Sequence, residues 1–167
     1  MRKVLISSLA VASVLVAGSA SAATVGTTFG VSATVLKSCS VAATALAFGN
    51  YTPGTGTLTG NTTIAVKCTK TTPFTVALNV GPTAGDTFAQ RLMGSGVNTL
   101  QYNLYTTAAF GTIFGDGTAG TATVAGTGAG VATASNVTVY GQLLDNAANQ
   151  ASVPGPYTDT ITVTVTY

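Results

Sequence analysis

The feature that most constrains this chain is strict alternation. At the C-terminal end, Ile161-Thr162-Val163-Thr164-Val165-Thr166-Tyr167 places an apolar residue at every odd position and a threonine at every even one. A repeat of two is the side-chain period of an extended strand with one face toward a core and the other toward water. The same pattern appears near the other end. Val25, Thr27, Phe29, Val31, Ala33 and Val35 fall on one side of an extended segment, and Thr24, Gly26, Thr28, Gly30, Ser32 and Thr34 on the other. No helical template fits this stretch as well. Fully extended it reaches about 35 Å, which is long for one strand of a small sandwich.

Between these ends the pattern predicts strands over Val41–Phe48, Leu58–Cys68, Phe74–Val80, Thr99–Tyr105, Thr121–Val124 and Val131–Leu143. Turn residues separate them, among them Tyr51-Thr52-Pro53-Gly54, Gly81-Pro82, Gly94-Ser95-Gly96, Gly115-Asp116-Gly117 and Val153-Pro154-Gly155-Pro156. Glu is absent and Lys and Arg are scarce, while β-branched residues abound, so composition favours strands over helices. The expected fold is all-β, an antiparallel sandwich of immunoglobulin type, although no Trp is present to form the usual core landmark. The Gly/Ala/Thr stretch Ala119–Ala134 reads as a flexible hairpin region.

The N-terminus has the layout of a secretory signal peptide: Met1-Arg2-Lys3, an apolar run from Val4 to Ala17, then the small residues Ala20-Ser21-Ala22. The apolar run is shorter than the roughly 20 residues of a membrane span. The expectation is export with cleavage after Ala22. The remaining chain then carries Lys37, Lys67, Lys70 and Arg91 against Asp86, Asp116, Asp145 and Asp159, a net charge of zero. Such a chain has no basic patch to displace counterions from phosphates, which excludes a nucleic-acid partner. Near-zero charge also removes the repulsion that keeps proteins apart, so association is favoured. In an oxidising compartment Cys39 and Cys68 read as a disulfide, stabilising by about 3.6 kcal/mol in the chain-entropy model. A metal site is the rival reading, but the chain has no His and no CxxC pair.

Catalytic chemistry has little to work with. Without His or Glu, a general base would have to come from scattered Asp residues, and Asp86, Asp116 and Asp145 read as turn residues satisfying backbone donors. Gly126-Thr127-Gly128-Ala129-Gly130 lacks the Lys-Ser/Thr and helix of a phosphate loop, and Asp145–Asn149 lacks the spaced ligands of a calcium loop. The reading is a non-enzyme with no catalytic, cofactor or metal site. In Tyr102-Asn103-Leu104-Tyr105 an exposed tyrosine would suit a sugar, and a core tyrosine with a bonded hydroxyl is the commoner arrangement.

Several pieces in order resemble the spore coat U family, which includes subunits of archaic chaperone–usher pili. They are the alternating segment ahead of Cys39, then Val66-Lys67-Cys68 leading into Pro73-Phe74-Thr75-Val76-Ala77-Leu78. Arg91-Leu92-Met93, Leu100-Gln101-Tyr102-Asn103-Leu104-Tyr105 and the ending from Gly155 to Tyr167 follow. The resemblance implies a sandwich lacking its last strand, completed first by a periplasmic chaperone and then, at an outer-membrane usher, by the leading segment of another subunit. Strand addition of this kind is a known recognition mode, of which chaperone–pilin complementation is a standing example. Its implied organisation is a signal peptide at 1–22, a donor segment at 23–35 and a pilin-like domain at 36–167. Val25, Phe29 and Val31 would enter pockets; Ile161, Val163 and Val165 would form the floor of the acceptor groove, with Tyr167 and its carboxylate as a chaperone anchor. Burying the three donor side chains is worth about 5–9 kcal/mol before the cost of ordering the segment. The alternatives are that Val25–Val35 forms the domain's own first strand, or that the product is a spore coat, an extracellular matrix protein or a sugar-binding surface module. The implied setting is a cell-surface fimbrium serving adhesion and biofilm formation.

Overall fold

The computed structural model describes residues 21–167, so the expected signal peptide lies outside the described residues except for its last two positions. The chain divides after Thr34 into two units. In the first, residues 21–34 form neither helix nor strand, and every residue is exposed. The alternation at Val25–Val35 is therefore not the first strand of a sheet. The first strand begins at Cys39.

The second unit, Val35–Tyr167, is the expected antiparallel sandwich of immunoglobulin type. One sheet has five strands in the order β1 (Cys39–Ala43), β2 (Leu58–Cys68), β7 (Ser135–Leu143), β5 (Asn98–Tyr105), β4 (Arg91–Ser95). The other has three, in the order β6 (Val124–Thr127), β3 (Pro73–Leu78), β8 (Val163–Thr166). Every ladder is antiparallel. Alternation decides which side chains meet between the sheets. Ile64 and Val66 from β2, Val137 and Val139 from β7, and Leu100 and Leu104 from β5 face Phe74, Val76 and Leu78 of β3. Cys39 and Cys68, paired directly across β1 and β2, are joined as a disulfide.

Several boundaries differ from the sequence expectation. β2 spans the predicted Leu58–Cys68. β1 stops at Ala43 instead of continuing to Phe48, because the chain then leaves the sheet edge to fill the core from beside it. β7 starts at Ser135, after the Gly-rich turn, and the strand predicted over Thr121–Val124 lies later, at Val124–Thr127, inside the low-complexity stretch. β8 is shorter than its alternation suggests. β4, hidden by its Gly94-Ser95-Gly96 ending, and the single-turn helix α1 (Ala147–Gln150) had no periodic signal.

α1 shows how a turn can replace a ladder. Asn146 caps it by accepting from the Asn149 backbone N–H at 2.9 Å. The fully buried Asn149 amide accepts from the Gln101 N–H at 2.7 Å and donates to the Gln101 carbonyl at 2.8 Å. It thus supplies β5 with the backbone-like partner that β7 has ceased to provide, which is the commonest use of a buried amide.

Candidate functional site

β8 leaves its core-facing side chains partly open. Phe74, Val76 and Leu78 on neighbouring β3 are at most 3% exposed, whereas Ile161, Val163 and Val165 are only half-buried although they face the same core. The cause is topological. β8 pairs with β3 alone, so its other edge carries backbone groups without a strand partner.

The segment leading into β8 forms one wall of an opening at that edge. Thr158 exchanges two backbone hydrogen bonds with Gly94 of β4, at 2.8 and 3.1 Å. Four residues later Thr162 is held by Asn79, its N–H donating to Asn79 Oδ1 at 2.8 Å and its carbonyl accepting from the Asn79 N–H at 3.2 Å. Between these anchors the Tyr102 hydroxyl donates to Asp159 Oδ2 at 2.5 Å. Burial, reinforced by the adjacent Asp159 carboxylate, pushes the Tyr102 phenol well above its ordinary range, so it remains a donor.

The facing wall is the stretch that follows β1. Leu46 and Phe48 lie against the inner face of the five-stranded sheet where Gly141 leaves a gap. A Cβ at Gly141 would stand 2.8 Å from Leu46 Cδ1 and 2.9 Å from Phe48 Cζ, so only glycine admits this approach. Phe48 meets Tyr102 edge to face, with ring centroids 6.0 Å apart. Between the walls lies a cavity of about 320 Å³ whose floor is core: Ile64, Leu78, Leu104 and Val139. A second cavity of about 700 Å³ shares Leu46, Phe48, Met93 and Tyr157 with the first and runs on toward Pro53 and Val153–Pro156. The two adjoin through these shared residues; the first is lined mainly by apolar side chains, the second by apolar and polar groups alike.

Elsewhere the polar groups are spent on the fold. Arg91 is fully buried; its Nη1 donates to Asn103 Oδ1 at 2.7 Å, and its Nη2 donates to the carbonyls of Asn79 and Phe114, each at 2.8 Å. Asp86 accepts from the N–H groups of Thr83 and Leu92, and burial raises its pKa despite these bonds. Asp145 accepts from the Tyr51 hydroxyl at 2.6 Å and from the N–H groups of Gly54 and Gly56, which hold its carboxyl down at about 2. Asp116 accepts from Thr118 in its own turn. The turn role expected for these three aspartates is what the structure displays. Among the described residues no group of three His, Cys, Asp or Glu side chains is placed to hold a metal.

Of the residues singled out in the sequence, Ile161 and Val163 line the cavity, and Val165 packs against the core beyond it. Tyr167 is 55% exposed and is not part of the lining. Val25, Phe29 and Val31 lie in the first unit, 99%, 87% and 85% exposed. Leu46, Phe48, Tyr102, Tyr157 and Asp159 also line the cavity but carried no groove assignment from the sequence. For Leu46 and Phe48 the alternation was visible; that they leave the strand was not.

A family model described as Spore Coat Protein U domain matches residues 25–164. The chain belongs to the spore coat protein U domain family. The structure of this chain is also similar to a chain of the CsuC–CsuE chaperone–tip adhesion subunit pre-assembly complex from the archaic chaperone–usher Csu pili of Acinetobacter baumannii. The TM-score is 0.57 at 24% identity, over 80% of this chain and 41% of that one, so the likeness is one of fold and the chain spans less than half of its neighbour. No curated protein matches the sequence.

Proposed function

We propose that this spore coat U protein is a structural subunit of a chaperone–usher pilus, exported by its 1–22 leader and assembled by donor-strand exchange. The observation that carries the reading is the apolar groove beside the unpaired edge of β8, with core residues as its floor. An open edge over an open core is an aggregation hazard unless a specific strand fills it. The segment 23–35 has the required chemistry: an alternating apolar side, no strand of its own, and Val25, Phe29 and Val31 exposed. In this reading those three side chains enter the groove of another copy or a related pilin, above Ile161, Val163 and Val165. A periplasmic chaperone occupies the groove beforehand, with Tyr167 as an anchor, and an outer-membrane usher hosts the exchange. The product is a surface fimbrium serving adhesion and biofilm formation.

The deciding experiment is electron microscopy of cells expressing the chain with its chaperone and usher, with and without residues Ala23–Thr34. Fibres should appear only with the segment. Fibres of equal number without it would defeat the reading. The family's description favours a second product, a spore coat, built by the same pairing; location of the polymer on spores instead of growing cells would select it.

A further inference from the structure

We infer that the chain is built against filling its own groove: folded back along β1, its leading segment turns its polar side to the core, so the donor has to come from another chain. The inference rests on the strand-exchange reading.

β1 is the outermost strand of the five-stranded sheet, and its last residue, Ala43, lines the 320 Å³ cavity. A strand laid along the free edge of β1 therefore enters the groove. Residues directly opposite in an antiparallel pair point to the same face. Cys39, Val41 and Ala43 lie opposite Cys68, Val66 and Ile64, each at most 1% exposed, so they mark the core side of β1. Backbone direction adds a second constraint. The Ser38 carbonyl accepts from the Thr69 N–H at 2.9 Å, and the Thr44 N–H donates to the Thr63 carbonyl at 3.2 Å, so the even-numbered residues bond toward β2. Cys39 is then the first residue whose N–H and C=O face the free edge.

The shortest return is a two-residue loop, Lys37-Ser38, with Leu36 opposite Cys39. Thr34 then stands opposite Val41, and Ser32 opposite Ala43. The side offered to the core is the polar one, while Val35, Ala33, Val31 and Phe29 face outward. Every loop with an even number of residues repeats this mismatch. The three-residue loop Leu36-Lys37-Ser38 would bring Val35 opposite Cys39 and the apolar side inward. Such a loop ends in a left-handed residue, usually glycine. Here that place falls to Ser38, which Thr69 already holds beside β2; among the described residues, positive φ outside glycine occurs only at Thr71, Phe110 and Ala119. A longer odd loop would be made from Thr34-Val35-Leu36-Lys37-Ser38, which has no Gly, Pro, Asn or Asp to favour a turn. A segment from another chain is not tethered to this β1, so it can take the register that points Val25, Phe29 and Val31 inward.

The test supplies a turn and then corrects the parity. Lys37→Asn with Ser38→Gly installs the dipeptide that most favours a two-residue hairpin. A sibling carries the same two substitutions and also lacks Leu36, which puts Val35 opposite Cys39. Mature chains are prepared as dilute monomers for amide hydrogen exchange and thermal melts, then concentrated and run on size-exclusion chromatography. The sibling should protect the amides of residues 25–31, melt at least about 5 °C higher than the parent and form no polymer. The double variant that keeps Leu36, and a chain lacking Leu36 alone, should polymerise as the parent does. Equal behaviour of the two turn variants, or protected amides at residues 25–31 in the parent monomer, would overturn the inference and leave exchange between chains standing. Parent polymers that form equally well without residues Ala23–Thr34 would overturn both.

Discussion

Two stretches of this chain carry nearly the same code and meet opposite fates. Val25–Val35 and Ile161–Tyr167 both alternate apolar with small or hydroxyl residues. The second has found β3 and become β8, with its valines half inside a core. The first forms no strand, and its valines and phenylalanine stand in water. Alternation thus declares a strand's readiness and leaves its partner open; the partner depends on what the fold places alongside. Gly26 and Gly30, which lower the segment's independent stability, sharpen the contrast with the threonines of β8.

The largest expected effect comes from removing one of the two. Deleting Ala23–Thr34 should abolish polymers on size-exclusion chromatography while leaving the thermal melt of the monomer unchanged. A truncated chain that unfolds would mean the two stretches do not differ as described. Next in size is the disulfide, which staples β1 to β2 and so supports the folded unit alone. Replacing Cys39 and Cys68 by alanine should cost about 3.6 kcal/mol in denaturant melts, and an equal loss should appear in the truncated chain.

Matched charges probe the two stretches directly. Val163→Asp places a charge at the half-buried face of β8 and should destabilise the monomer by about 2 kcal/mol. Phe29→Asp should leave the monomer melt within about 0.5 kcal/mol yet weaken subunit joints against heat and detergent. Equal monomer effects would erase the distinction.

The smallest effect is acid sensitivity, a property of the sandwich alone. Hydrogen bonds from Tyr51, Gly54 and Gly56 hold the Asp145 carboxyl at about 2, below its unfolded value of about 3.9. Because the folded pKa is the lower one, the stabilisation is complete above about pH 4 and is lost as pH falls toward 2. Asp86 works in the opposite sense: burial raises its pKa, so protonation favours the fold. Asp145→Asn should flatten the acid limb of the melting temperature, in the full and truncated chains alike.

Strand faces were legible in the sequence because period two leaves few choices: Leu58–Cys68 was read to its ends, and Ile161, Val163 and Val165 were placed on a common face. The groove's second wall was not legible. Leu46 and Phe48 are spaced like neighbours on one strand face but fall out of phase with Cys39, Val41 and Ala43 of β1, and only the gap at Gly141, distant in sequence, reveals that they turn inward. The same holds for Arg91 and Asn149, buried polar residues whose partners are backbone carbonyls and amides set by tertiary structure. Pattern speaks for a strand's own faces. It is silent on partners that arrive from elsewhere in the chain.

The two tethers flanking Asp159 have a mechanical consequence. Within five residues the chain is tied to Gly94 of one sheet and Asn79 beside the other, before β8 begins. Tension along β8 therefore meets its β3 ladder in shear, all rungs loaded together, while the Thr158 tie passes part of the pull into the opposite layer. A domain wired this way resists being peeled open one bond at a time.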